Sequence, residues 1–396
     1  MGEPKISDSL DGHASAFSRR QLLQGLAVSG AALALGGCGS VEAKRLDIIT
    51  LRSTFPGSIR RDFGAVSPLP TSFFPVDNRS QLFQILTPLE PSSGGLSGWL
   101  GSLQRAVFPP PQILSLSLLG SGWFDAAIAQ NLLIPLADSE FPASVKDRLP
   151  PVWQQATLRQ EKLWGLPWNW GVTAIAYDRT QVSAPIEDWE DLWRSELAKK
   201  VALPDSPREV VGLTLKSLGQ SYNSSLADVD AQLGASALVE RLVSLNAQAL
   251  TYSSEDYLPA LLLGDAAAVV GWSSDLYQLA RVDRRFEVVI PKSGTALWWD
   301  VWVLPRQLNV ESDMSELQEL AQAWFEFLLS GDIPRRSVVT SRQPIPIDVP
   351  LDQLPDGLQT RLAFQPGVLE KGELLQPLGD HESRRYLELW RQMRAG

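Results

Sequence analysis

One cysteine and two histidines in 396 residues leave this chain short of the side chains that most metal and nucleophile chemistry requires. A lone cysteine forms no internal disulfide. Zinc sites of the His/Cys kind need three or four such ligands. A Ser-His-Asp enzyme would rest on His381 alone once the N-terminal segment holding His13 is removed, and no Gly-x-Ser-x-Gly elbow occurs. No phosphate loop ending in Gly-Lys-Ser or Gly-Lys-Thr is present either. Carboxylate chemistry is all that stays open to an enzyme. Basic residues are also in deficit: the net charge of −10 excludes the footprint a nucleic-acid binder needs and is compatible with cationic ligands. No apolar run is long enough to span a bilayer comfortably, and there is no internal repeat.

The N-terminus carries the first positive signal. Ser18-Arg19-Arg20-Gln21-Leu22-Leu23 opens an apolar run to Leu35, interrupted by Gln24, Gly25 and Gly30. A basic start, a short apolar region and small residues make an export signal, and the paired arginines suggest the twin-arginine route. Leu35-Gly36-Gly37-Cys38 has the form of a lipoprotein cleavage site, with Cys38 lipidated as the new N-terminus. A Sec signal with an incidental cysteine is the alternative. The expected organisation is a signal over 1–37, a tether over 38–45, and an exported, periplasmic, membrane-tethered mature chain.

The mature text alternates strand-like and helical segments. Leu46–Leu51, Gln112–Leu119, Trp164–Tyr177, Lys200–Leu203, Ala266–Val270, Phe286–Ile290 and Leu297–Leu304 read as strands. Val210–Leu218, Ala235–Leu245, Tyr257–Leu263 and Met314–Leu329 read as helices. Residues 54–112, rich in Pro, Ser and Gly, predict loops and short helices. Alternating strands and helices predict α/β layers with mostly parallel sheets.

Fourteen tryptophans are the compositional oddity, and three of them crowd one aspartate in ALWWDVWVLP (296–305). Strand alternation puts Trp298, Asp300 and Trp302 on one face and Leu297, Trp299, Val301 and Val303 on the other, apolar face. One reading is structural: Asp300 satisfied by backbone N–H groups or an arginine, with packing tryptophans. The other is a receptor for an organic ammonium. An indole face attracts a cation by about 0.5–2 kcal/mol, and a carboxylate adds roughly 1.5–3 kcal/mol through a charge-assisted hydrogen bond. Micromolar affinity needs about 8 kcal/mol net, so the receptor reading demands a second anion and more aromatic wall.

Residues 163–330 resemble the spermidine/putrescine-binding proteins of bacterial polyamine ABC importers. The resemblance rests on LWGLPWNWGVTAIAYDRTQV (163–182), WEDLW (189–193), PDSPREVVGLTLKSLG (204–219), LLLGDAAAVVGWSS (261–274), PKSGTALWWDVWVLP (291–305) and FEFLLSGD (325–332). It implies a two-lobed α/β periplasmic binding protein of type II, each lobe a mostly parallel sheet flanked by helices, with ligand in the cleft between lobes. Lobe 1 is expected over 46–175 plus 300–342, and lobe 2 over 176–299 plus 343–396. The family's aromatic-x-Asp falls on Trp298 and Asp300, its neighbouring tryptophan on Trp272, its glutamate on Glu209, and a Ser-x-aromatic on Ser121 and Trp123. Departures are Ser206 in place of an aspartate, Gln343 in place of a tyrosine, and no aromatic in Leu51–Thr54. Glu209 also reads as a carboxylate favoured by a helix N-terminus, while Trp168 and Trp170 read as core and His381 as a solvated helix residue.

The functional expectation is a non-enzymatic, monomeric binding lipoprotein, without cofactor or metal, that takes a polyamine or related amine to ABC permease subunits. Alternatives are another solute such as ferric iron, a secreted carboxylate-based hydrolase, or a structural lipoprotein.

Overall fold

A computed structural model describes residues 46–77, 79–87, 114–136, 143–254, 257–306, 314–359 and 367–395; the expected export segment, Cys38 and the tether lie outside them. The strands in chain order begin with Leu46–Leu51 (β1), Thr71–Val76 (β2), Leu114–Gly120 (β3) and Leu133–Ile134 (β4). A small hairpin of Leu158–Arg159 (β5) and Lys162–Leu163 (β6) precedes the long strand Leu166–Asp178 (β7). Val201–Leu203 (β8), Ala249–Tyr252 (β9), Ala268–Trp272 (β10), Phe286–Val289 (β11), Thr295–Pro305 (β12) and Gly372–Leu374 (β13) follow.

Eleven of these strands join in one sheet, ordered β2-β1-β3-β12-β7-β10-β8-β9, with β4 and β13 beside β12 and β11 beside β7. Parallel pairing is confined to the two ends and to β13, whereas β12 and β7 run antiparallel to each other and to β3 and β10. The sheet is therefore mixed rather than mostly parallel. Its β2 edge was not foreseen inside the Pro-rich region. Pro75 lacks an amide donor, which only an edge position tolerates, and β2 pairs on one side only.

Every residue of β7 and β12 is buried. Both faces are covered, which is why their text is a near-continuous apolar run instead of a clean alternation. The two strands also join separate hydrophobic cores. Leu166, Trp168, Trp170 and Val172 pack into a first core, and Ala174 to Tyr177 into a second region. On β12, Ala296 belongs to the second region, and Leu297, Trp299 and Val301 to Leu304 belong to the first. Both crossings fall at one level, because Leu297 pairs with Val172.

The first core is heavily aromatic. Phe55 lies 5.9 Å from Trp168, 5.9 Å from Trp302 and 5.7 Å from Trp324, and the Trp302 and Trp324 rings meet edge-on at 5.2 Å. Trp302, expected beside Asp300 in a binding face, belongs to this cluster; the aromatic residues of other elements cover that end of β12. Ile345, Ile347, Leu354, Leu358 and Val368 pack into the first core, and the chain reaches the second only near Leu375. Tyr386, Leu389, Trp390 and Met393 of the helix Asp380–Ala395 then complete it.

Candidate functional site: an aromatic row between two carboxylates

Residues paired across adjacent strands project to the same face, so register alone assembles the site. Trp298 of β12 pairs with Gly171 of β7, and Thr173 of β7 pairs with Trp272 of β10. Gly171 and Thr173 are two apart and share a face, as do Trp298 and Asp300. Asp300, Trp298, Thr173 and Trp272 thus form one row across three strands, at the level where the chain passes between cores.

Each indole has a specific support. A Cβ at Gly171 would stand 2.2 Å from Cζ2 of Trp298, so the glycine is what lets this ring lie down on β7. The Trp272 ring meets that of Trp298 edge-on, with centroids 6.1 Å apart. The Trp272 backbone N–H donates to the Tyr257 hydroxyl at 3.3 Å, and that hydroxyl donates to Asp275 Oδ2 at 2.8 Å. Burial pushes the Tyr257 phenol up, with the Asp275 carboxylate adding to it, so the phenol stays a donor.

Glu209 supplies the second carboxylate. It lies in the first turn of the helix Pro207–Ser217, whose N-cap Ser206 accepts the Glu209 N–H at 3.4 Å. Its Oε2 accepts a hydrogen bond from the Thr173 hydroxyl at 3.0 Å, which ties it to the row. The residue is 5% exposed. Burial raises its pKa to about 7, against the opposing effects of the Thr173 hydrogen bond and the Arg208 charge.

Asp300 is fully buried and already holds a cation. Arg79 Nε donates to Oδ1 at 2.7 Å and Nη2 to Oδ2 at 2.8 Å, a bidentate pair closed across 221 residues of sequence. The Arg79 side chain retains 34% of its exposure, and its Cζ lies 5.0 Å from the centre of the Trp298 ring. Gly120, paired with Asp300, sits beneath the Arg79 stem: a Cβ there would come within 3.2 Å of Cδ. Burial works against the guanidinium's charge, but Asp300 outweighs it and the Arg79 pKa is raised. The arginine thus takes the place, between carboxylate and indole, that the receptor reading reserves for a ligand ammonium. Breaking a buried pair of this kind costs about 3–5 kcal/mol. An ammonium would regain roughly 1.5–3 kcal/mol from one charge-assisted bond. The arginine wins.

The helix Arg79–Leu86 that carries this arginine also reaches Trp123. Phe83, one helical turn beyond Arg79 and on the same side, stacks on Trp123 with centroids 5.3 Å apart and planes 18° apart. Trp123 is 38% exposed. Ser121 starts the helix Ser121–Ala129, and its hydroxyl accepts the Trp299 N–H at 3.2 Å, fastening that helix to β12. The sequence reading missed Arg79, Gly171, Thr173 and Tyr257. Only Gly171, a lone glycine inside an apolar strand, carried a signal of close approach.

Among the described residues no three His, Cys, Asp or Glu side chains gather as a metal site. A cavity of about 600 Å³ lined by residues such as Leu136, Lys146, Gln154 and Leu163 shares none of the row's residues. No described helix is long and apolar enough to cross a membrane.

A mixed sheet threaded between two cores is the fold of the type II periplasmic binding proteins. The structure superposes over 89% of its length on 99% of the spermidine/putrescine ABC transporter substrate-binding protein of Streptococcus pneumoniae, with a TM-score of 0.69 at 19% identity. It superposes equally over 89% of its length on the whole of a Treponema pallidum lipoprotein, with a TM-score of 0.65 at 16% identity. The chain belongs to the family of bacterial extracellular solute-binding proteins, whose model matches residues 109–356. By sequence it is 25% identical over 237 residues to the spermidine/putrescine-binding periplasmic protein of Salmonella typhimurium, covering 59% of this chain and 64% of that protein. It is 28% identical over 256 residues to the putrescine-binding periplasmic protein PotF of Escherichia coli, covering 57% and 66% respectively. The chain spans under two thirds of the length of these curated relatives.

Proposed function

We propose that this chain is the extracytoplasmic substrate-binding subunit of an ABC importer, which takes a polyamine or related amine and presents it to the permease. The observation that carries this reading is the row itself: two indoles, Trp298 and Trp272, set edge to face between the Asp300 and Glu209 carboxylates. Methylenes packed on those rings contribute about 0.8 kcal/mol each, and a ligand ammonium drawn to Glu209 gains a charge-assisted bond. The two cores are the lobes, the ligand lies between them, and Ser121 and Trp123 border the cleft on the first lobe. No catalytic step is assigned to the site. The chain is exported by the twin-arginine route and tethered through a lipid on Cys38 in the periplasm, where it acts as a monomer.

Calorimetric titration of the mature chain with putrescine, spermidine, amino acids and ferric citrate tests the ligand class. Saturable binding of an amine, weakened by Trp298→Leu and by Glu209→Gln, is the expected result. Binding of ferric citrate or no binding of any amine would overturn it.

A further inference from the structure

The mechanism of amine capture sketched above leaves Arg79 without a part, yet Arg79 stands in the middle of the site. Its Nε and Nη2 are spent on Asp300, whereas Nη1 makes no hydrogen bond among the described residues. The side chain is only partly covered. The Trp298 Nε1–H, on a residue 8% exposed, is a buried donor with no acceptor among the described residues. The open Nη1 edge of Arg79 calls for an acceptor from any ligand that covers it, since a donor left unpaired on burial is costly. The guanidinium fork matches a carboxylate in particular.

Resting on the amine-binding reading, we propose that Arg79 is the specificity-determining residue of this site: it fills the ammonium subsite at Asp300 and makes the ligand an amine that bears a carboxylate, an ω-amino acid in place of a diamine. The carboxylate lies against the outer edge of Arg79, the methylenes cross the Trp298 and Trp272 rings, and the ammonium lies toward Glu209 and Thr173. A diamine fits this arrangement poorly at one end, because its second ammonium meets a guanidinium. It cannot displace that guanidinium without giving up the bidentate pair and the cation–π contact at 5.0 Å.

Two probes with the same four methylenes separate the alternatives. In titration calorimetry at constant ionic strength, 5-aminopentanoate is expected to bind the wild-type chain at least about 10-fold more tightly than putrescine, the factor one charge-assisted hydrogen bond supplies. Arg79→Met opens Asp300 to an ammonium and should reverse the preference. Because that variant leaves a buried carboxylate unpaired, Arg79→Met with Asp300→Asn is the second test: it should weaken 5-aminopentanoate by roughly 10- to 100-fold and leave putrescine little changed. Wild-type preference for putrescine, or equal losses for both probes in the Arg79 variants, overturns this assignment while the amine-binding reading stands. Binding of neither probe nor any other amine overturns that reading and this assignment with it.

Discussion

Gly171 is the floor on which Trp298 rests: the two residues pair across β7 and β12, and the indole occupies the space a Cβ would need. Gly171→Ala therefore forces the ring off the strand. Overpacking of this kind typically costs about 1–3 kcal/mol, and here it also misplaces the central aromatic of the row. We expect Gly171→Ala to lower the urea midpoint and to weaken ligand binding together. Gly122→Ala, with nothing within 4 Å of the added carbon, should do neither. A Gly171→Ala chain as stable as wild type would mean that Trp298 is free to move.

Arg79 and Asp300 should behave as one unit in a double-mutant cycle. Arg79→Met strands a fully buried carboxylate, and loss of a partner in a buried pair costs about 3–5 kcal/mol. The partial exposure of Arg79 lets water soften that figure toward its lower end. Replacing both residues, Arg79→Met with Asp300→Leu, removes the stranded charge and should recover most of the loss. Urea unfolding of the four chains gives the coupling, which contacting residues place at about 0.5–3 kcal/mol. Additive effects would show that the pair contributes nothing to the fold.

Glu209 gives the chain a pH dependence of stability with a definite sign. Burial lifts its pKa from the ordinary 4.5 to about 7, so between these values the native chain keeps a proton that the unfolded chain has released. Stability from this residue is intact below about pH 4.5 and is lost as pH rises through 7, by about 3 kcal/mol in all. Glu209→Gln should match the wild-type melting temperature at low pH and exceed it at pH 8. Parallel melting profiles for the two chains would sink the argument.

Amine binding should run the other way. A ligand ammonium is drawn to the Glu209 carboxylate and not to the neutral acid, so affinity for an amine rises as pH passes upward through about 7. Calorimetry across pH 6 to 8.5, with Glu209→Gln as the flat control, measures this directly.

Cys38→Ser removes the only thiol available for lipid attachment. Fractionation of expressing cells should find the variant released from the membrane or retained as uncleaved precursor. Undiminished lipid labelling of the variant would exclude Cys38 as the anchor.

The sequence alone was enough to place most of the strands, because long apolar segments such as Trp164–Tyr177 and Leu297–Leu304 leave few other ways to bury themselves. It also singled out Trp298 and Asp300, since a carboxylate among indoles is chemically unusual wherever it occurs; Trp272 came through the family resemblance alone. Period-two alternation correctly joined Trp298 to Asp300. It could not say what covers the far end of β12, where Trp302 meets Phe55 and Trp324 from distant parts of the chain. Only tertiary structure decided which cation Asp300 holds. Arg79 lies in the Pro-rich region whose local text is least periodic, and its partner is 221 residues away. Charge pairing at that separation leaves no local pattern to read. Glu209 is a similar case: a helix start is visible in Ser206-Pro207-Arg208-Glu209, but its burial and its bond to Thr173 follow from how that helix packs against the sheet. Local text sets which residues can form a strand or a cap, whereas the occupant of a buried carboxylate depends on which distant side chain the packed fold brings to it.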